Sequence, residues 1–331
     1  MHHLMGEYSK ALSYSDQLLE VQEKLSPSNH NLLAITYNNI GFFYNKKKDY
    51  LKALFYIEKT REIEEKSVPV DHRNLAMTYN NIGVVHHSMQ DYSQALAHFE
   101  KSLETNEKSP QPNHLLKAAI YSNIASIYYL LKDHSKAILY YEKTLKVQQT
   151  YLSNNHLALA TTYQNLAIVY KSKEEYQTAL YYFEKTLEIQ QTSLQNNPLD
   201  LATTYKNIAI VYQSKEEYQT ALDYFEKTLK IQQKSLPSDH QSLIDTYHDI
   251  GLVHFLMENY SAALIYYEKK LEIILKTSPN NHTSVVSTYS TIGYIYKLLG
   301  DQSRSTSYFT KAYEIQNALS SSNTPVALFL K

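Results

Sequence analysis

Residues 159–194 read LATTYQNLAIVYKSKEEYQTALYYFEKTLEIQQTSL, and residues 201–236 repeat this segment with substitutions at six places. The two copies start 42 residues apart. A fixed period of this size is typical of repeat proteins, which stack one structural element many times. Within each copy the apolar residues recur at spacings of three and four, as in an amphipathic helix. The segment therefore predicts a repeat that is built from amphipathic helices.

The same period runs through most of the chain without an insertion. Its leading residues are Tyr37, Tyr79, Tyr121, Tyr163, Tyr205, Tyr247 and Tyr289. Four positions later the residue is always small: Gly41, Gly83, Ala125, Ala167, Ala209, Gly251 and Gly293. Glycine inside a helix costs about 1 kcal/mol relative to alanine. We therefore expect a neighbouring helix to pack too closely against this position for a larger side chain.

A second helix in each repeat carries a recurring alanine, and four residues later an aliphatic or aromatic side chain. The alanines are Ala53, Ala95, Ala137, Ala179, Ala221 and Ala263. This pattern resembles the tetratricopeptide repeat, whose usual unit has 34 residues. The repeat length of 42 residues in this chain is similar to that of the kinesin-light-chain subclass. The resemblance implies an all-α, right-handed superhelical solenoid of antiparallel helix hairpins, in which the first helices line a concave groove.

The repeat register also predicts how the chain is divided. A partial repeat at 1–29 comes first, with the end of a first helix at 1–7 and a second helix at about 8–25. The seven full repeats are 30–71, 72–113, 114–155, 156–197, 198–239, 240–281 and 282–323, and residues 324–331 would start a further one. The second helix of the seventh repeat should pack less well, because Ser305 and Thr306 replace the usual Ala-Leu. Neither end shows a clear polar cap, so we expect a fragment of a longer array or a truncated product.

Composition limits the classes of function. The chain has 32 Lys and Arg against 33 Asp and Glu, which does not favour a nucleic-acid binder. It has no cysteine, which excludes thiolate sites and allows a reducing compartment. No apolar run reaches the roughly 20 residues of a bilayer span, and no phosphate-binding or catalytic motif appears. We expect a cytoplasmic protein that is not an enzyme, has no cofactor or metal, and binds neither nucleic acid nor membrane.

The resemblance places four positions of each first helix in the groove: two residues before the leading tyrosine, and one, two and five residues after it. The second position after the tyrosine reads Asn39, Asn81, Asn123, Asn165 and Asn207, followed by Asp249. In groove-binding relatives an asparagine here holds the backbone of an extended peptide. A carboxamide suits this role because it both donates and accepts hydrogen bonds. The alternative is that these asparagines bond to their own neighbours.

The fifth position after the tyrosine is mostly apolar, as at Phe42, Val84, Ile168 and Ile210. These side chains are predicted to receive apolar anchors of a peptide. Lys206 is the single basic residue in the groove set, so a clamp for acidic chaperone tails is not expected. In the sixth repeat Asp245, His248 and Asp249 share one helix face. Polar surface is the preferred interpretation of this trio, and a metal pair or an acidic pocket is the alternative.

These patterns predict a scaffold that binds extended or helical peptide segments of partner proteins in the groove. The first alternative is the interaction arm of a larger enzyme whose catalytic domain is missing from this chain. The second is a kinesin-light-chain-like cargo adaptor, which would need a heptad coiled coil that this sequence lacks. The third is a spacer with no specific ligand. Uncapped ends would also allow self-association.

Overall fold

The computed structural model describes residues 2–25, 30–154, 156–193, 197–277 and 282–322. Over these ranges the backbone forms fifteen α-helices and no strand. In chain order the helices are α1 (His2–Leu25), α2 (His30–Lys46), α3 (Tyr50–Lys66), α4 (His72–Ser88), α5 (Tyr92–Glu107), α6 (His114–Leu130), α7 (His134–Tyr151), α8 (Leu157–Ser172), α9 (Tyr176–Thr192), α10 (Pro198–Ser214), α11 (Tyr218–Ser235), α12 (Gln241–Leu256), α13 (Tyr260–Thr277), α14 (His282–Leu298) and α15 (Gln302–Ser322). The all-α class predicted from the repeat is confirmed.

Each predicted full repeat contains two helices, and the same turn joins them every time. The residue two positions before the second helix has a positive φ, for example 64° at Lys48 and 80° at Gly300. The next N–H then bonds to a carbonyl five residues back, as from Asp49 to Tyr44 at 3.0 Å. This Schellman closure ends the first helix sharply. Because the connection is so short, the second helix returns antiparallel to the first.

The glycines of the first helices mark the closest approach of the paired helix. A Cβ atom added to Gly83 would lie 2.6 Å from Cε1 of Phe99 on α5, and one added to Gly41 would overlap Ile57 on α3. Both partners are almost fully buried. The expectation drawn from the sequence is confirmed at these positions. Their cost in helix propensity is offset by packing that a larger side chain would prevent.

Buried hydroxyl groups tie the two helices of a repeat together at one recurring place. Thr60 Oγ1 on α3 donates to the carbonyl of Ala34 on α2 at 3.1 Å. Ser102 repeats the bond to the carbonyl of Ala76 at 2.5 Å. A buried hydroxyl that found no acceptor would cost about 1–3 kcal/mol, so this bond also keeps the side chain compatible with the core.

The hydrophobic core is shared between neighbouring repeats. In one cluster Ala53 and Ile57 from α3 pack against Leu75, Tyr79 and Ile82 from α4, which belongs to the next repeat. A cluster of the same kind joins α5 to α6. A single helix pair therefore leaves apolar surface exposed until its neighbour covers it, which is the physical basis of a repeat array.

Two predictions about the ends of the array can be compared with the helices. The turn expected after residue 7 does not form, because α1 continues as one helix from His2 to Leu25. A first helix of only a few residues offers little surface to pack against, so continuing the helix is favoured over turning back. In the seventh repeat Phe309 is 38% exposed, whereas Phe99 is fully buried. Ser305 is itself buried, and α15 is the last helix of the described residues, so the weaker packing expected from Ser305 and Thr306 stays a prediction. The further repeat predicted at 324–331 lies outside the described residues.

The helices form two compact units. The first is Met1–Lys173 and contains α1 to α8, and the second is Glu174–Lys331 and contains α9 to α15. The division falls in the turn of the fourth repeat. No helix in the described part of the chain is both long and apolar enough to cross a bilayer.

Candidate functional site

In the first compact unit, the predicted groove positions of α2, α4 and α6 form one surface, which we call the first-helix face. Four asparagines on it are joined in a chain of hydrogen bonds. Asn123 Nδ2 donates to Asn80 Oδ1 at 3.1 Å, Asn80 Nδ2 donates to Asn81 Oδ1 at 3.4 Å, and Asn81 Nδ2 donates to Asn38 Oδ1 at 2.9 Å. This amide chain crosses three successive repeats, so two of the predicted site residues, Asn81 and Asn123, bond to a neighbouring repeat.

The amide chain does not use all the hydrogen-bonding capacity of its members. Each carboxamide has two N–H groups and an oxygen with two lone pairs, and each bond of the chain uses one N–H. Asn80, Asn81 and Asn123 are half-buried, so they remain in contact with solvent. Asn39, the predicted member from the first repeat, is exposed, and Asn165 on α8 is half-buried. The arrangement can hold the repeats in register and still offer donors and acceptors to a ligand.

Apolar side chains border the amide chain. Phe42 is 49% exposed, and Val84 is half-buried. With Asn38, Asn45 and Asn81 they line a small cavity of ≈ 40 Å³. Ile35 and Met77, on the other border, are 58% and 43% exposed. Exposed apolar side chains on adjacent helices are the kind of surface that interaction sites use.

The corresponding helices of the second compact unit carry a different pairing. Lys206 Nζ lies 2.8 Å from Asp249 Oδ2, at the two positions that the asparagine pairs occupy in the first unit. Asn207 Nδ2 donates instead to the carbonyl of Thr203 on its own helix at 3.1 Å. Ile210 is half-buried against the core. The predicted site residues are thus not equivalent along the chain: amides link repeats in the first unit, and an ion pair links two repeats in the second.

The trio Asp245, His248 and Asp249 does not converge on one point. Asp249 pairs with Lys206, Asp245 accepts a hydrogen bond from the Gln241 side chain at 3.0 Å, and His248 Nδ1 lies 3.5 Å from Lys270 Nζ. Burial lowers the pKa of His248, and the charge of Lys270 adds to this effect. Among the described residues no group of three or more His, Asp or Glu side chains is placed to hold a metal ion.

The sequence interpretation missed one position on the second helices. Three repeats have a glutamine there that accepts a hydrogen bond from the threonine fourteen residues later, as Thr162 Oγ1 donates to Gln148 Oε1 at 2.7 Å. Gln190 and Gln232 make the same bond. The aligned residue in the first repeat is Glu64, which has Thr78 as its donor. Burial raises the pKa of Glu64 to about 7, with a further increase from the charge of Asp71. In the sequence, Glu64 is an acidic residue at a position where the next four repeats have Asn or Gln, and this difference could have identified it.

Comparisons with known proteins agree with the repeat register. A family model of the tetratricopeptide repeat matches residues 32–108, 74–150, 116–192 and 200–276, and a second model of the same repeat matches 286–319. The first three matches begin at intervals of one predicted repeat. No curated protein matches the chain.

Solved structures share the fold at low sequence identity. A signal transduction ATPase with numerous domains and a tetratricopeptide repeat sensor, from Pyrococcus horikoshii, aligns with 93% of this chain and 46% of its own, at 14% identity and a TM-score of 0.72. The apo form of RapI aligns with 97% of this chain and 98% of its own, at 18% identity and a TM-score of 0.66. A protein from Podosopora anserina, described as a kinesin light chain with nearly identical TPR-like repeats, aligns with 63% of this chain and 99% of its own, at 19% identity and a TM-score of 0.55. At these identities the similarity concerns the fold alone.

Proposed function

The chain belongs to the tetratricopeptide repeat family, and we propose that it is a protein-interaction scaffold whose first-helix face binds an extended peptide of a partner protein. The observation that carries this proposal is the amide chain of Asn38, Asn80, Asn81 and Asn123 between two borders of apolar side chains. Carboxamides with spare donors and acceptors can pair with the backbone of any extended peptide. The apolar borders then select side chains.

The amide chain also supports a specific mode of binding. A peptide backbone presents N–H and C=O groups alternately, and the spare groups of Asn81 and Asn123 can pair with both. Phe42 and Val84 would hold apolar side chains of the peptide on one border. Because the amides are already joined to one another, less conformational entropy is lost when a peptide binds. The remaining predicted contacts of the first compact unit, Asn39, Asn165 and Ile168, belong to the same proposal. Asn207, Ile210 and Asp249 lie in the second compact unit and stay a separate prediction for its own first helices.

The experiment that tests the proposal uses defined peptides. Peptides selected from a random display library on the purified wild-type chain are synthesised, and their dissociation constants are measured by calorimetry. The variant Asn81→Ala with Asn123→Ala removes all three hydrogen bonds of the amide chain and should weaken binding by about tenfold or more. The matched control is Phe55→Ala with Leu139→Ala, which changes two exposed apolar residues on second helices of the same compact unit.

Circular dichroism first establishes that both variants keep the helical fold. If the control pair weakens binding and the asparagine pair does not, then the peptide lies on the second helices and the proposal is wrong. If neither pair has an effect, the amide chain serves only to join the repeats.

Two of the alternatives remain hypotheses about a longer protein. The chain aligns with less than half of the Pyrococcus horikoshii ATPase, which is how an interaction arm of an enzyme would align. The fold is also similar to that of a protein described as a kinesin light chain, which is compatible with the cargo-adaptor alternative. A full-length transcript would distinguish them, because an ATPase domain and a heptad coiled coil have different sequence patterns. We propose a cytoplasmic location, and the absence of cysteine is compatible with such a reducing compartment.

A further inference from the structure

An open cavity of ≈ 650 Å³ lies where the first and second repeats meet, beside the first-helix face. Its walls come from α2, from the end of α3 with the loop that follows, and from α4. Ile35 and Met77 are among its lining residues, and both are exposed. Glu64, Asp71 and Thr78 are also in the lining. The cavity thus combines an apolar entrance with two carboxyl groups.

Glu64 is the unusual residue in this cavity. One of its oxygens, Oε2, is shielded from solvent and has no hydrogen-bond partner among the described residues. Its pKa of about 7 means that a large fraction of the carboxyl is ionised at neutral pH. A buried carboxylate is normally paired with a cation or fully hydrogen-bonded. A positively charged donor would therefore stabilise the ionised form of Glu64.

The neighbouring charged groups do not supply such a donor. Asp71, at the start of α4, is the charge that acts on Glu64, and it is negative. Its carboxylate accepts hydrogen bonds from the N–H groups of Arg73 and Asn74 and from the Asn74 side chain. On α3, Arg61 pairs with Glu58 and Glu65. A cation that entered from solvent would satisfy Glu64 and reduce its repulsion from Asp71.

The shape of the entrance indicates how such a cation would be carried. A lysine or arginine side chain has an apolar stem and a charged end, and it readily covers apolar surface with its stem. Ile35 and Met77 occupy the same position in adjacent first helices, and both border the amide chain. A basic side chain of a peptide on this face could pass between them and reach Glu64.

We propose that this cavity binds a lysine or arginine side chain of the partner peptide, with Glu64 as its counter-ion and Ile35 and Met77 against its stem. The inference rests on the proposed function, because the peptide backbone is held by the first-helix face. It adds a requirement on the partner's sequence: a basic residue that sits among apolar ones.

The chain contains a neutral counterpart of this site. Where the third and fourth repeats meet, a cavity of ≈ 330 Å³ is lined by the residues two repeats further along, with Gln148 in the place of Glu64. Ala119 and Thr161 replace Ile35 and Met77. No carboxyl group is among the lining residues of this cavity, so it should not retain a basic side chain.

The test uses synthetic peptides and the methyl signals of methionine. Seven-residue peptides with apolar flanks carry lysine, arginine, norleucine or glutamate at the centre, and they are titrated into the full chain labelled with ¹³C-methyl methionine. The Met77 signal, assigned with Met77→Leu, reports binding at the cavity. At about pH 8 the lysine and arginine peptides should bind about tenfold more tightly than the norleucine peptide, as expected for a charge-assisted hydrogen bond. This preference should shrink at about pH 6 as Glu64 gains its proton.

Two variants decide the result. Glu64→Gln should abolish the preference for basic peptides, and it should fold because glutamine is already the residue at three aligned positions. Glu100→Gln, which removes an exposed charge of the same sign from α5, should leave the preference intact. The proposal is overturned if Glu64→Gln keeps the preference, or if no basic peptide shifts the Met77 signal.

The outcomes separate this inference from the proposed function. If all the peptides except glutamate bind equally and shift Met77, the inference is wrong and the first-helix face still binds peptides. If basic peptides are preferred but the change of Asn81 and Asn123 to alanine has no effect on their binding, the cavity is a site and the amide chain is not.

Discussion

The cavity beside Glu64 and the cavity beside Gln148 occupy the same place in the repeat, two repeats apart within the first compact unit, yet they differ in size and in charge. The first measures ≈ 650 Å³ and the second ≈ 330 Å³. At Gln148 an amide accepts a hydrogen bond from Thr162 and stays neutral. At Glu64 the same geometry holds an ionisable group whose pKa burial has raised. The comparison teaches that the repeat determines where the side chain lies. Whether that side chain can ionise depends only on the replacement of an amide nitrogen in Gln148 by a carboxyl oxygen in Glu64.

The largest effect on this comparison is expected from Gln148→Glu. Gln148 is only 9% exposed, so a carboxylate there would lose its hydration without gaining a cation. The free energy of unfolding should fall by about 2–3 kcal/mol at about pH 8. At about pH 5 the loss should be small, because burial raises the pKa and keeps the new carboxyl protonated. Urea unfolding of variant and wild type at both pH values measures the difference. An equal loss at both would mean that shape, rather than charge, distinguishes the cavities.

The reverse change, Glu64→Gln, should stabilise the protein at high pH. The pKa of Glu64 in the folded state, about 7, lies above its usual value of 4.5. The bound proton therefore stabilises the fold fully below about pH 4.5, and this contribution is lost as the pH rises through about 7. At about pH 8 the free energy of unfolding of the variant should exceed that of the wild type by about 1–2 kcal/mol, a range that is reduced because solvent at the cavity entrance screens the charge of Glu64.

At about pH 5 the Glu64→Gln variant and the wild type should differ little. Amide hydrogen exchange in α3 and α4 measures the gain locally, and helices of the second compact unit serve as the internal reference. A gain that does not depend on pH would contradict the assigned ionisation of Glu64.

An intermediate effect is expected from removing the threonine donors. Thr162→Val leaves Gln148 Oε1 without its hydrogen bond and should cost about 1 kcal/mol at every pH. Thr78→Val should cost more at about pH 8 than at about pH 5, because the Thr78 hydroxyl lowers the pKa of Glu64 by favouring its ionised form. Parallel urea titrations of the two variants make the comparison. The same pH dependence in both would show that the two hydroxyls have equivalent roles.

The smallest effect is expected from Asp71→Asn. Asparagine also caps helices well, so α4 should keep its first turn. The negative charge of Asp71 raises the pKa of Glu64, and its removal should lower that pKa and stabilise the fold by about 0.3 kcal/mol at about pH 8. Carbon-detected NMR titration of the Glu64 carboxyl measures the change. An increase of the pKa would mean that the cap was lost and the cavity had rearranged.

Much of the fold could be predicted because a helix repeat is a matter of spacing. Apolar residues three and four apart place one face of each helix against its neighbours, and the period identifies equivalent positions along the chain. The close approach at Gly83 followed from the cost of glycine in a helix. The tight turns were harder to predict, since six of the seven residues with positive φ at this turn are Lys, Gln or Glu and not glycine.

The candidate site was predictable as a set of positions and not as a set of contacts. The position of Asn81 on the first-helix face followed from the register, but its hydrogen bond to Asn38 joins residues of two different repeats. Lys206 and Asp249 occupy the same two positions and form an ion pair instead. Spacing within a helix contains no information about which side chain of the next repeat lies opposite.

The sequence by itself determined the helical class, the period, the pairing of helices and the faces that pack together, because these depend on local periodicity. Only the tertiary structure decided that α1 is continuous and that the asparagines form hydrogen bonds between repeats. It also decided that Glu64 lines a cavity and that burial raises the pKa of its carboxyl group. Burial and the distance between side chains arise when neighbouring repeats pack, and both the desolvation of a carboxyl and the choice of a hydrogen-bond partner depend on them.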